Sequence, residues 1–434
     1  DLIKFRSGAK PWTACMLDCI CMVGMKLRLG PWGLSNSPEA ILAKAMVESG
    51  LNDPRMNARG PTCIDRYSAV RTEGLRRSGA RYSPTGYIIA QRTLEKRMKT
   101  RLRIADYLSQ HPKAAAEEVG APIFVVGFTR TGTTFLHEML GLHPGVKMHY
   151  TWEQIEPVPR TNLEDNEALS VDRLQRKASN RGEFQATMFL AGDAIQSIHR
   201  IGYEEPEECT TPCAMELPWN IADLPLMAFA SDVVHEMGGG EVFKWYRRYL
   251  QILSFQSDEA NATKTWMLKC PFHLPYLGEL SSEFPMSLVV WTHRNPVDCI
   301  GSACSLYDTI FQVSIDSWSL DKKRLGAAVL ALTKQSLDRA LKVCDEGKIN
   351  ILHLRYQDTT GDSKGICKKV FEHAGLAFTR DYEQKIEAYL SASKTKRTKE
   401  KKKGRAHSYS LSDYGLSDDG VRATFKDYIQ RFNL

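Results

Sequence analysis

The chain has 434 residues, 43% of them hydrophobic and 25% charged, with a net charge of +7 and eleven cysteines. That is enough chain for a large core, and the composition is that of a soluble globular protein, which excludes low-complexity and collagen-like classes. The positive balance is mild and concentrated near the C-terminus, so it calls for no nucleic acid; an anionic small ligand accounts for a local positive field. The cysteines are odd in number and scattered, which favours free thiols and a reducing, cytoplasmic compartment.

Residues 1–118 read as a helical N-terminal region, interrupted at Gly30-Pro31, Gly60-Pro61 and Pro84. Residues 11–27 are apolar-rich, but Asp18 and Lys26 break the run short of the roughly 20 residues a membrane span needs. An amphipathic or core-docking helix is expected there, with contact to a membrane surface left open. Cys15, Cys19 and Cys21, like Cys209 and Cys213, lack the paired His/Cys partners of a zinc site. The chain opens on Asp1, which leaves open a targeting segment ahead of it.

From residue 119 to 434 strands alternate with helices, the pattern of a parallel sheet. Strands are predicted at 123–127, 146–149, 265–269, 287–293 and 350–354. The fold class is therefore α/β: a P-loop-like parallel sheet flanked by helices, with the helical N-terminal region and a helical insertion over 160–260. That insertion holds YEEPEECTTPCAMEL (203–217) and KWYRRYLQIL (244–253). The lysine-rich stretch 391–405 reads as a mobile basic loop.

Two segments of the sheet carry chemistry. In APIFVVGFTRTGTTFLHEMLGLHP (121–144), a buried apolar strand runs into a loop bracketed by Gly127 and Gly132, then into a helix. Amides at the start of such a helix have no internal partner and suit an anion. The loop departs from the nucleotide-hydrolase pattern G-x-x-x-x-G-K-S/T: Thr133 replaces the lysine, and the basic residue has moved to Arg130. The second segment, 266–304, contains a strand ending in His293 and Arg294, with Asn295 as N-cap and Pro296 at the first helical position. Ser302 lies about two turns into that helix, where it can join Arg294 around a terminal phosphate.

The two motifs, in this order, resemble those of sulfotransferases that use 3′-phosphoadenosine 5′-phosphosulfate (PAPS), over roughly residues 121–434 and in the bacterial-like small-molecule or lipid branch. The resemblance implies that Arg130, Thr131, Gly132, Thr133 and Thr134 cradle the 5′-phosphosulfate, and that Arg294 and Ser302 hold the 3′-phosphate. Phe135 stands where the family places an aromatic residue against adenine; a core-facing role is its alternative. Tyr356, in ILHLRYQDTT, would reach the nucleoside. Arg405, with Lys403, would belong to the basic element that closes over the 3′-phosphate.

The resemblance also implies sulfuryl transfer to a hydroxyl, with Lys269 and Arg130 stabilising charge on the transferring group and no metal required. Two residues compete for the role of general base. Glu153, in HYTWEQIEPVPR, stands where the tyrosylprotein and several bacterial enzymes carry a glutamate. His273 lies four residues after Lys269, where the cytosolic enzymes have histidine only two residues on. The aromatic insertion points to an apolar alcohol, lipid-like or small, as acceptor. The alternatives are a P-loop kinase-like phosphotransferase and a non-catalytic nucleotide-binding module.

Overall fold

The computed structural model describes residues 38–51, 63–160, 166–185, 188, 201–217, 223–257, 261, 263–316, 319–402 and 410–434. Residues 11–27 and the candidates Lys403 and Arg405 lie outside the described residues.

Five parallel strands form the sheet: β1 (Ile123–Val126), β2 (Val146–Lys147), β3 (Thr265–Lys269), β4 (Leu288–His293) and β5 (Ile351–Arg355). All five coincide with predicted strands to within about two residues. Their order is β2-β3-β1-β4-β5, with β1 in the middle. Strand β1 is the run IFVV, buried at every position. It can be apolar on both faces because each face is covered, as in parallel sheets generally. Phe124, Val126, Leu268, Val289 and Trp291 join the larger core cluster. Ile123, Val125, Met267, Val290 and Leu354 join a second cluster with the helix that follows β1. The period of two along each strand sorts the side chains between these layers.

The chain leaves β1 toward β2 and β3 on one side, and builds β4 and β5 on the other. Such a reversal opens a crevice at the carboxyl ends of the strands, where open α/β sheets bind ligands. Register places the key residues there: Val125 pairs with Lys269, and His293 with Arg355, immediately before Arg294 and Tyr356.

Outside the sheet the described elements are helical. Helix Pro84–Gln110 starts at an N-cap, Ser83, whose hydroxyl accepts from the Gly86 amide. It is tied to the 203–217 segment through Arg101, which donates to Glu216 at 3.0 Å and lies 4.7 Å from the Trp245 ring centre. Arg66 of helix Cys63–Ser78 reaches the same carboxylate at 3.2 Å. Trp245, Tyr246 and Tyr249 of helix Gly240–Phe255 are fully buried in the larger core.

The expected basic loop needs correction. Over 391–402 the chain is the end of a helix, Arg380–Lys402. The stretch contains no Gly or Pro before residue 404 and is rich in lysine, which favours helix. Tyr382 and Ile386 anchor the helix one turn apart in the second core cluster. Among the described residues no helix is long and apolar enough to cross a membrane.

Candidate functional site

The loop between β1 and helix Thr133–Leu140 is built around two left-handed residues, Arg130 (φ 76°) and Gly132 (φ 91°). Gly132 has no freedom to change: a Cβ there would sit 2.7 Å from the Tyr356 ring. Thr131 faces inward, where its hydroxyl donates to the Phe128 carbonyl at 2.7 Å and lies 2.8 Å from that of Thr292. It fixes the loop to β4 rather than facing a ligand. No side chain caps the helix at Gly132. Among the described residues, no backbone carbonyl accepts from the amides of Thr133 and Thr134. These are open donors at the positive end of a helix, suited to an anion.

Arg130, Arg294, Ser302 and Tyr356 converge, although they come from the loop after β1, the end of β4, the helix Pro296–Ser314 and the start of the helix Tyr356–Gly361. Arg130 Nε donates to the Ser302 hydroxyl at 2.9 Å, and Arg294 Nη1 to the Arg130 carbonyl at 3.2 Å. The Arg294 guanidinium lies 4.3 Å from the Tyr356 ring centre. Asn295 caps the following helix by accepting from the Val297 amide, which holds Arg294 at the mouth of the crevice. Arg294 Nε is buried without a hydrogen-bond acceptor; the nearest carboxylate oxygen, on Asp298, is 3.6 Å away. A phosphate oxygen would complete this corner, so the residues fit a nucleotide that carries one.

The third group is Lys269, buried at the end of β3. Its Nζ donates to Glu208 Oε1 at 2.7 Å and reaches Thr134 Oγ1 at 3.5 Å. Burial pulls the ammonium's pKa down, but the Glu208 and Glu207 carboxylates outweigh burial and the net shift is upward. Lys269 is therefore a fixed positive charge between an acidic pair and the anion loop.

Most of these groups border a cavity of about 490 Å³; Lys269 and Ser302 stand behind its wall, bonded to the wall residues Glu208 and Arg130. Arg130, Gly132, Thr133, Thr134, Phe135, Arg294 and Tyr356 line it. Phe135 also packs against the second core cluster, its ring centre 6.0 Å from that of Tyr389.

The two residues expected as bases do not line the cavity. In the short helix Thr151–Ile155, the residues at i, i+3 and i+4, Thr151, Gln154 and Ile155, face the cavity. Glu153 falls on the other side of the turn. Its Oε2 accepts the Tyr150 amide at 2.9 Å in a capping box, and its Oε1 accepts from Arg173. His273 is fully buried, with its ring centre 5.6 Å from that of Phe124, 5.3 Å from Phe243 and 6.0 Å from Tyr246. Burial pushes its pKa down to about 3, with Glu208 opposing, so its imidazole stays neutral within the aromatic core. The carboxylates that do line the cavity are Glu207 and Glu208. Sequence reasoning noted their segment but not their role, because four glutamates crowd 204–208 and only contact with Lys269 separates one from another.

The class these features define is an α/β protein with a loop of open amides and a second, arginine-rich corner at the switch point of a parallel sheet, both suited to anions. The sequence model of a family described as the Sulfotransferase family matches residues 122–380. The match spans more than half of the chain, and the chain belongs to that family. Among curated proteins, the omega-hydroxy-beta-dihydromenaquinone-9 sulfotransferase Stf3 of Mycobacterium bovis is 25% identical over 295 residues. The M. tuberculosis protein of the same name matches to the same extent. Each match covers 62% of this chain and 66% of the relative, just under two thirds of its length. In fold, the chain is similar to sulfotransferase STF9 from M. avium, with TM-score 0.71 and 21% identity over 92% of this chain and 97% of the other. It is also similar to STF1 from M. tuberculosis, with TM-score 0.67 and 24% identity over 90% and 98% of the two chains.

Proposed function

We propose that this chain transfers the sulfuryl group of PAPS to the hydroxyl of an apolar alcohol. The observation that carries the reading is the placement of Lys269, which joins Glu208 on the cavity wall to Thr134 at the head of the anion loop. The donor supplies an activated sulfuryl group whose bond to the phosphate oxygen breaks as a bond to the acceptor oxygen forms. This chain supplies the rest. Arg294, Ser302 and Arg130 hold the 3′-phosphate, and the amides of Thr133 and Thr134 receive the 5′ end. Lys269 and the loop amides offset the negative charge that grows on the leaving oxygen. Glu208 takes the acceptor's proton, in place of Glu153 or His273.

The cavity suits an apolar acceptor: Phe135, Ile155, Phe184, Ile201 and Phe272 are on its wall. The similar curated proteins are named for a lipid-like acceptor, a hydroxylated menaquinone derivative. An apolar alcohol agrees with both. The described cysteines carry free thiols, nearly all buried, which supports a reducing, cytoplasmic setting.

Thermal stabilisation tests the reading, because a ligand shifts the melting temperature in proportion to its binding. Adenosine 3′,5′-bisphosphate should stabilise the protein strongly, and ATP with magnesium little. Stabilisation by ATP alone would favour a kinase. Stabilisation by the bisphosphate without transfer of label from PAPS to any alcohol in a lipid extract would make the chain a binding module.

A further inference from the structure

Helix Pro84–Gln110 places one of its arginines, Arg97, on the wall of the cavity. Arg97 is only 8% exposed, and its Nη1 is buried with no hydrogen-bond partner. The helix treats its other buried charges differently. One turn on, Arg101 donates to Glu216, and Glu95 accepts from Lys44 and Lys99. Among the described residues no carboxylate pairs with Arg97. Burial lowers its pKa to about 10, opposed only by the Tyr67 phenol, so the guanidinium keeps its proton at neutral pH.

A buried charge without a counter-charge is unfavourable, and replacing it with an apolar group of similar size often stabilises a fold. Such a group persists where a ligand brings the missing charge. The anionic groups of the nucleotide already have partners at the sheet's carboxyl edge, in Arg130, Arg294, Ser302 and the loop amides. Arg97 comes instead from the helical N-terminal region, into a cavity whose wall also carries Phe184, Ile201, Leu224 and Ile310.

We propose that Arg97 is the acceptor-recognition residue, and that the acceptor is an apolar alcohol carrying an anionic oxygen group, a carboxylate or a phosphate, apart from the hydroxyl that is sulfated. The inference rests on reading this cavity as the acceptor side of a sulfotransferase. The guanidinium fork offers two parallel donors to such a group, a geometry that a neutral alcohol leaves unused.

The test compares ω-hydroxy fatty acids, the corresponding ω-hydroxyalkyl phosphates and the methyl esters of the acids, over a series of chain lengths. Binding is read by thermal shift and calorimetry on the full chain saturated with adenosine 3′,5′-bisphosphate. At least one anionic series should bind roughly ten- to hundredfold tighter than the esters, and the series that does so identifies the anion. Arg97→Met should abolish that preference, and Arg97→Lys should retain part of it. Arg97→Met should also raise the melting temperature of the ligand-free protein. Equal binding of acids, phosphates and esters, or binding of none, overturns the proposal, as does a preference that survives Arg97→Met. Loss of bisphosphate affinity in that variant would make Arg97 a donor-site residue, and a lower ligand-free melting temperature would make it a structural one; either result also overturns the proposal. None of these readouts needs turnover. Arg97-dependent binding of an anionic alcohol that is never labelled from PAPS would refute sulfuryl transfer and leave the anion site in place.

Discussion

Lys269 donates to Glu208 across 2.7 Å, although the two residues are 61 positions apart and belong to different layers of the fold. Strand β3 delivers the lysine and the segment before helix Thr210–Cys213 delivers the glutamate. The contact sets a carboxylate of the cavity wall beside a buried cation that also reaches Thr134 of the loop after β1. The proposed in-line transfer to a hydroxyl uses this pair, the carboxylate as base and the ammonium as fixed charge.

Glu208→Gln preserves the side chain's shape and removes its basicity. Bisphosphate affinity should stay within a few-fold, while kcat falls by roughly 10²–10⁴, the usual worth of a general base. Glu153→Gln should leave kcat nearly unchanged and lower stability by about 1 kcal/mol, because it weakens a helix cap and an ion pair. A reversed pattern, with Glu153→Gln inactive and Glu208→Gln normal, would return the base to the 151–155 helix. A phenolic acceptor, which deprotonates more easily, should recover part of the Glu208→Gln loss.

Much of the sheet and the anion loop was legible because both are local patterns. Four consecutive buried apolar residues before a Gly-bounded turn identify β1 without knowledge of its neighbours. Asn295-Pro296 after Arg294 marks a helix start in the same way. The proposed base was not legible, for a reason of geometry. Moving one residue along a helix turns the side chain by about 100°, so Glu153 and Gln154 point to different environments although they are adjacent in sequence. His273 was a candidate by resemblance although its distance from Lys269 departs from the family's, and the turn of 3₁₀ helix Pro271–Tyr276 rolls it into the aromatic core. Glu208 becomes a candidate only when β3 and the insertion meet, a long-range contact that no local spacing encodes. The helix over 391–402 was hidden by its lysine content, which reads equally as a solvated loop.

Arg294→Ala should weaken binding of adenosine 3′,5′-bisphosphate by about 2–3 kcal/mol, the range for a hydrogen bond to a charged group that loses its partner. Adenosine 5′-phosphate, which lacks the 3′ group, should bind nearly as before. Equal losses for the two ligands in calorimetry would mean that Arg294 serves another part of the nucleotide. Its contact with the Tyr356 ring adds a second expectation: Tyr356→Leu should weaken both ligands alike, since the ring would meet the nucleoside rather than the phosphate.

Gly132→Ala tests the backbone of the loop. The residue occupies φ 91°, and its Cβ would press on Tyr356 at 2.7 Å. Strain of about 1–3 kcal/mol is expected from the conformation and the clash together. The loop can relax only by turning its open amides, so bisphosphate affinity should fall more than global stability does. A variant that loses stability but binds the bisphosphate normally would show that the amides of Thr133 and Thr134 are not the anion site.

The last expectation concerns acid. Burial lowers the pKa of His137, His149 and His273 to about 3 and that of His235 to about 4, from an ordinary value of 6.5. Above 6.5 each imidazole is neutral whether the chain is folded or unfolded, and stability does not depend on it. Between 6.5 and the folded value only the unfolded chain takes up the proton, so falling pH favours unfolding by up to about 1.4 kcal/mol per pH unit for each histidine. The melting temperature should therefore drop steeply from about pH 6.5 to about pH 5, before most carboxylates titrate. His273→Phe is the informative variant, because Phe124, Phe243 and Tyr246 already form an aromatic setting for its ring. It should flatten the slope by about one histidine's share while leaving the neutral-pH melting temperature close to that of the parent. An unchanged slope in this variant would mean that His273 is protonated as readily in the folded chain as in water, and that its environment is far wetter than the aromatic packing implies.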